Sequence, residues 1–327
     1  MAFGDRLKSL QGHLQGRTWS GDVYRLVIEI SNACNLKCIM CPRNVMKRKI
    51  EFMDGKTFES IIMPNHTKLE FVSLNGFGEP LLHPDLFEFL GLCREYGVRT
   101  GISTNCTLLD ERKAVALLEN PPDIITLAID SVNRESFEKV RIGAKFDVVM
   151  ENTRRFLRLC ASSKRRPFVI LQCIYMTETK DQVYAFKRAF AGYEYDAIRI
   201  RQLTYSGRER DDADYAHELC SCYWLWTEPM ILSNGTLVPC CQDVNGRLVL
   251  GNIRDGSLNA LWNRGYICEL RAKHAAGQRA AIPICSQCNM YQPGWPLQVS
   301  ASLLDTARTN SLVPTIETVI SKFRYRS

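Results

Sequence analysis

Six nearly continuous apolar runs constrain the fold more than any other feature of this chain. They lie at 26–30, 69–74, 99–103, 124–129, 168–174 and 197–203, and they are rich in Val, Ile and Leu. They do not alternate polar with apolar residues, as strands with one wet face would. They read instead as parallel strands buried on both faces. Amphipathic patterns lie between them, as at 85–96, 111–119 and 147–161. Strand and helix in alternation predict an α/β fold with a parallel sheet. Six such units predict a partial (β/α)6 TIM-like barrel over residues 24–205, after an N-terminal segment 1–23. Barrels of this kind carry chemistry on the loops at the C-terminal ends of their strands.

The loop after the first run reads Cys34-Asn-Leu-Lys-Cys38-Ile-Met-Cys41-Pro42. Thiolates at this spacing can close over one face of an iron–sulfur cluster. A four-iron cube held by three of them keeps one iron open for a small chelating ligand. A zinc site is the alternative reading of such cysteines. The motif and its place after the first strand resemble the radical S-adenosylmethionine (radical SAM) enzymes. That resemblance implies a [4Fe–4S] cluster on Cys34, Cys38 and Cys41, with S-adenosyl-L-methionine (SAM) on the open iron. It also implies reductive cleavage of SAM to methionine and a 5′-deoxyadenosyl radical.

Further residues match the same family. Asn75-Gly-Phe-Gly78-Glu79-Pro80 follows the second run and resembles the loop that holds the SAM ammonium. Gly76, Gly78 and Glu79 match, and Phe77 stands where glycine is more common. The third run ends in Ser103-Thr-Asn105, suited to a ribose. The fourth ends in Asp130-Ser131, with Arg141 downstream, like the family's pattern near the SAM ribose and carboxylate. Ser131 as a helix cap and Arg141 as a surface cation are the plainer readings. Gln172, Arg199, Arg201 and Gln202 are candidate substrate contacts wherever strand alternation turns them inward.

The composition changes after residue 205. A polar stretch at 206–214 reads as a linker, and seven cysteines fall within 220–292. Little regular periodicity remains, which predicts a small domain stapled by a cofactor over 206–296, followed by a tail at 297–327. Cys222, then Gly235, Cys240 and the pair Cys285-Ser-Gln-Cys288 resemble the SPASM/Twitch extension of radical SAM enzymes. No cysteine follows Cys288, so the resemblance implies one auxiliary [4Fe–4S] cluster on Cys222, Cys240, Cys285 and Cys288. Cys220 is an alternative first ligand, and a four-cysteine zinc site an alternative occupant. Cys241 and Cys268 are either spare core thiols or hydrogen-atom donors to a substrate radical. Cys93, Cys106, Cys160 and Cys173 read as packing.

Fourteen cysteines without a secretory signal point to metal ligation in a cytoplasmic protein rather than to disulfides. No apolar run approaches the ~18 residues of a membrane span. The net charge of +7 is modest. Its short basic runs, at 47–49 and 164–166, lack the aromatic interleaving of a nucleic-acid surface. The resemblance also implies an electron donor such as flavodoxin or ferredoxin. Only ~23 residues precede the first strand, too few for a peptide-binding domain. The expected reaction is therefore hydrogen abstraction from a carbinol C–H of a small carbohydrate or aminocyclitol-like substrate, ending in epimerisation or dehydrogenation. Peptide modification is the alternative among enzymes. A non-catalytic iron–sulfur or zinc scaffold is the alternative outside them.

Overall fold

The computed structural model describes residues 2–180, 183–203, 221–286 and 288. The expected linker and tail, and Cys220, lie outside them. Six parallel strands form the barrel wall: β1 (Arg25–Ile28), β2 (Phe71–Ser73), β3 (Arg99–Thr104), β4 (Ile124–Ala128), β5 (Phe168–Tyr175) and β6 (Ala197–Gln202). They pair in chain order, with registers such as Leu26 opposite Val72 and Leu127 opposite Leu171. The six expected runs are these six strands, and the fold is the expected partial (β/α)6 barrel.

The helices α2 (Gly55–Asn65), α3 (Leu86–Glu95), α4 (Glu111–Glu119), α5 (Arg134–Val140), α6 (Phe146–Ser162) and α7 (Val183–Ala189) connect the strands. α6 shows why they form. Its buried residues Val149, Met150, Thr153, Phe156, Leu157 and Cys160 recur every three or four positions, one stripe of a helix. Asp54 caps α2 by accepting from the Thr57 amide, and Asp110 caps α4 by accepting from Lys113. Each cap satisfies a donor the helix leaves orphaned and is worth ~1 kcal/mol. Asn133, not Ser131, caps α5.

Two parts of the fold go beyond the sequence reading. The N-terminal segment carries a helix. It holds α1 (Ala2–Leu14), which ion-pairs Arg6 with Glu70 and packs His13 against Trp226. The second domain, expected from its weak periodicity to be held by a cofactor, also joins the sheet. Its strands β7 (Met230–Ile231), β8 (Thr236–Val238) and β9 (Gly251–Asn252) continue the barrel sheet past β1. β7 runs parallel to β1, with Val27 opposite Met230, and β8 and β9 follow antiparallel. The short helices α8 (Trp224–Thr227), α9 (Leu258–Trp262), α10 (Tyr266–Ala275) and α11 (Pro283–Ser286) complete the domain. Its core is built round Arg271, fully buried between Trp226 and Trp262. The Arg271 guanidinium donates to the Leu225 and Thr18 carbonyls, and burial pushes its pKa down to about 9. No helix among the described residues is long and apolar enough to cross a membrane.

Candidate functional site: two cysteine sets at the barrel mouth

The three-cysteine loop is closed at its base by hydrogen bonds and a strand bridge. Asn32 is buried and donates to the Lys49 carbonyl while accepting from the Glu51 amide. Ser31 and Phe52 form an antiparallel bridge beside it. Within the loop, the Arg43 guanidinium donates to the carbonyls of Cys34 and Leu36, and Asn44 to that of Cys38. Pro42 opens a short 3₁₀ turn, a position where its missing N–H costs nothing. The outer edge of the loop pairs with the end of α5, through Lys37 N–H to Ile142 O and Ile39 N–H to Val140 O.

Cys38 is buried among Leu36, Met40, Val140 and Met176, with Cys34 and Cys41 packed at the edge of that group. Burial pushes the Cys38 thiol up to about 11, against the pull of Arg141; the neighbouring Cys41 and Cys34 add to the rise. Burial also raises Cys34. Thiols held protonated this way must release protons to bind metal.

The residues matched to SAM contacts surround this loop, but several are already engaged. Asn105 donates to Cys34 Sγ at 3.8 Å and to Asn35 Oδ1 at 3.1 Å. The Glu79 carboxylate is 2 % exposed. It accepts from Thr104 Oγ1 at 2.7 Å, from the Asn105 amide at 2.8 Å and from the Leu81 amide at 3.1 Å. These bonds fix the end of β3 against the Gly-Glu-Pro loop. Burial raises its pKa, and those donors oppose the rise. Gly76 and Gly78 are glycines because nothing larger fits. A Cβ at Gly76 meets the Glu29 side chain at 2.5 Å, and one at Gly78 meets the Ser31 carbonyl at 2.3 Å. The Ser103 amide donates to Asn75 Oδ1 at 2.6 Å. Ser131 is fully buried and bonds within its own turn, to Asn133.

Arg141 is not a surface cation. It is buried, forms a two-pronged pair with Asp130 (Nε at 2.7 Å, Nη2 at 2.6 Å) and reaches Cys38 Sγ with Nη1 at 3.9 Å. Asp130 sits in the left-handed region at φ 69° and also accepts from the Ile174 amide. Strain of that kind in a non-glycine residue concentrates at functional sites. Asp130 was visible in the motif, but the pair it makes was not.

The second set also converges. Cys222, Cys240, Cys285 and Cys288 line one cavity with Cys241, walled by Trp224, Leu225 and Ile284. Burial raises Cys222 and Cys240 and pushes Cys285 up to about 12. Arg279 donates to the carbonyls of Cys285 and Cys288 and so shapes the turn between them. His274 accepts from the Cys222 amide. Neither residue was singled out from sequence, since a ligand motif carries no mark of the groups that hold its backbone. Cys268 is elsewhere. It lies on α10, where its thiol donates to the Asn263 carbonyl at the end of α9 and packs against the main core. Cys93, Cys106, Cys160 and Cys173 are all buried.

Both sets suit iron–sulfur ligation. The first offers three sulfur donors in a pinned, apolar loop with side-chain donors aimed at two sulfurs. The second offers four thiols round one cavity. Among the described residues, no three His, Cys, Asp or Glu side chains are set tightly enough for a single metal ion. A larger cleft, about 280 Å³, lies by Arg94, Arg99, Asp123 and Arg165 at the opposite end of the strands.

Residues 28–183 match the radical SAM superfamily, and residues 220–289 match the SPASM iron–sulfur cluster-binding domain. The protein belongs to the radical SAM superfamily and carries a SPASM domain. It is a radical SAM enzyme, with SAM, a [4Fe–4S] cluster and auxiliary iron–sulfur as its cofactors. The chain is 23% identical over 270 residues to an S-adenosyl-L-methionine-dependent 2-deoxy-scyllo-inosamine dehydrogenase of Niallia circulans, covering 80% of this chain and 91% of that one. It spans 41% or less of the next curated relatives' lengths. Among solved structures, BtrN in complex with AdoMet and 2-DOIA superposes with a TM-score of 0.55 at 20% identity, over 82% of this chain and 93% of that one. Streptococcus suis SuiB bound to precursor peptide SuiA superposes with a TM-score of 0.66 at 16% identity, over 86% and 73%. These superpositions show a shared fold.

Proposed function

We infer that this enzyme oxidises a carbinol carbon of a small aminocyclitol or carbohydrate-like substrate to a ketone. The observation that carries this reading is the extent of the likeness to the inosamine dehydrogenase, which takes in 91% of that relative's length. The four thiols of the second domain converge on one cavity and would hold an auxiliary cluster, which could accept the electron that a dehydrogenation releases. When bound, the cofactors supply an electron and a 5′-deoxyadenosyl radical able to take a hydrogen atom from an unactivated C–H. The chain's own residues do the rest. Cys34, Cys38 and Cys41 hold the first cluster, with Asn105 and Arg141 aimed at two of their sulfurs. Gly76 and Gly78 let the SAM loop lie against the cysteine loop, and the Glu79 amide ties the two by donating to the Ala33 carbonyl at 2.8 Å. The second-domain thiols lie behind Trp224 and Leu225, which keep water from an electron acceptor.

Cys241 favours a second outcome, epimerisation. It lines the auxiliary cavity and also packs against the group containing Val27 and Phe77 of the barrel mouth. Burial pushes its thiol up to about 11, with Glu228 adding to the rise and Arg201 of β6 opposing it. A thiol kept protonated can return a hydrogen atom. Cys268 does not line that cavity and packs against the main core instead.

The test uses anaerobically reconstituted protein, SAM, dithionite and 2-deoxy-scyllo-inosamine as first probe, in deuterated water. A product about two mass units lighter, with no solvent deuterium at the reacting carbon, supports dehydrogenation. Deuterium there, lost in Cys241→Ala, supports epimerisation. No 5′-deoxyadenosine from the parent, or equal amounts from Cys38→Ala, overturns the enzyme reading.

A further inference from the structure

The loop at residues 75–80 is gripped from two sides, and one side is the second domain. Toward the cysteine loop, Gly78 lies against the Ser31 and Ala33 carbonyls. On the other side, Phe77 leaves the loop and enters a small apolar group. It is 9 % exposed there, with Val27 of β1 and with Met230, Leu232, Val238 and Val244 of the second domain. Cys241, beside the expected ligand Cys240, packs on the same group. A buried carboxylate ties the backbone at that point. Glu29 follows β1 and is fully buried. It accepts from the Phe77 amide at 3.4 Å and from the Ser233 amide and hydroxyl at 3.3 Å each. Arg48 closes the arrangement. It pairs with both Glu29 oxygens at 2.8 Å, donates to the Val244 carbonyl at 2.8 Å and lies 5.7 Å from the centre of the Phe77 ring. The chain leaving the cysteine loop, the Gly-Glu-Pro loop and the second domain therefore meet at one buried point.

Building on the reading of residues 75–80 as the SAM loop, we propose that Phe77 is a positioning residue for SAM, anchored in the second domain. A glycine-rich loop has many conformations open to it, and a ligand that needs one of them loses affinity to the ordering. A large buried ring in the middle of the loop removes that freedom beforehand. Four apolar partners from the second domain hold the ring, and the Glu29 carboxylate holds its amide. Gly76, Gly78 and Glu79 on either side of it stay set against the cysteine loop. Phe77 stands where glycine is more common, so the anchor is built by this chain's own departure from the motif. The second domain thus serves the SAM site as well as its own cysteine set.

The experiment measures SAM affinity by equilibrium dialysis on anaerobically reconstituted protein without reductant, so it does not depend on turnover. Each variant is checked for iron content and Tm. The anchor is cut from both sides, by Phe77→Ala in the loop and by Leu232→Ala in the second domain. The control is Ile267→Ala, a comparable truncation where the second domain joins the main core. The expected result is a Kd for SAM that rises about tenfold in Phe77→Ala and rises in Leu232→Ala. The double variant binds no more weakly than Phe77→Ala, because both changes release one anchor. Phe77→Leu keeps an apolar anchor and binds close to the parent. Ile267→Ala binds as the parent does, although its Tm falls. Parent affinity in Phe77→Ala, with Glu79→Gln weakened, overturns the proposal. So does an equal loss in Ile267→Ala, or losses from Phe77→Ala and Leu232→Ala that simply add. Failure of the SAM-loop reading shows separately: Glu79→Gln then binds SAM as the parent does, and the proposal falls with that reading.

Discussion

Replacing Asp130 by Asn isolates the electrostatic role of the buried pair behind Cys38. Asp130 is fully buried at φ 69°, and Asn tolerates that left-handed conformation as well as Asp does. Asn also keeps an oxygen for the Ile174 amide. The substitution therefore removes a charge and leaves the backbone in place. Burial alone favours a neutral Arg141, and the Asp130 carboxylate with Cys38 overturns that, holding the guanidinium well above its ordinary pKa. Without the carboxylate, a buried cation loses its partner, which costs about 3–5 kcal/mol. In a domain this large each kcal/mol lowers Tm by ~2–4 °C, so a loss of about 6–20 °C is expected. Urea unfolding of Asp130→Asn, Arg141→Met and the double variant supplies the assay. Because each single change strands the other charge, the double variant should lose much less than the two singles combined, with a coupling energy of about 2 kcal/mol or more. Strictly additive losses, or a cost under about 1 kcal/mol for Asp130→Asn, refute the reasoning.

Gly78→Ala places a Cβ against the Ser31 and Ala33 carbonyls, so iron bound by the first site should fall, while Gly55→Ala, which meets nothing within 4 Å, should leave iron content unchanged. Cys240→Ser should lower iron and sulfide from about eight to about four each, as loss of one cubane requires. Cys106, buried at φ 63°, pays a left-handed penalty of roughly 1–2 kcal/mol that Gly avoids, so Cys106→Gly should denature at higher urea than Cys106→Ala despite its smaller side chain. His83 is buried, and desolvation lowers its pKa below 6.5, so the unfolded chain takes up a proton at higher pH than the folded one. Its stability contribution is present above pH 6.5 and lost as pH falls below it; Tm should drop between pH 7.5 and 5.5, and less steeply in His83→Gln.

The sheet was legible because parallel strands buried on both faces leave continuous apolar runs, and all six appear as strands. The first cysteine set was legible because its ligands are local, three thiols within eight residues. The second leaned more heavily on the family resemblance, since Cys222 and Cys288 meet only after the 65 positions between them are folded. Residues that hold ligands through their backbones, such as Arg43 and Arg279, left no pattern to read. The basic run at 47–49 carried no sign in the sequence of what it would meet. In the folded chain Arg48 is largely covered, forms a two-pronged pair with the fully buried Glu29, and donates to the Val244 carbonyl of the second domain. α1 was missed because its apolar face has meaning only against Trp226 and the floor of the barrel.

Periodicity, which depends on neighbours in the chain, determined the barrel from sequence alone, and local cysteine spacing joined to a family resemblance determined the radical SAM loop. Tertiary structure decided the use of each polar group. Glu79 fixes the end of β3, Arg141 is held between Asp130 and Cys38, and Cys241 faces both the auxiliary cavity and the barrel mouth. A polar side chain is assigned by whichever partner burial leaves within reach, and that partner is set by packing across the whole fold.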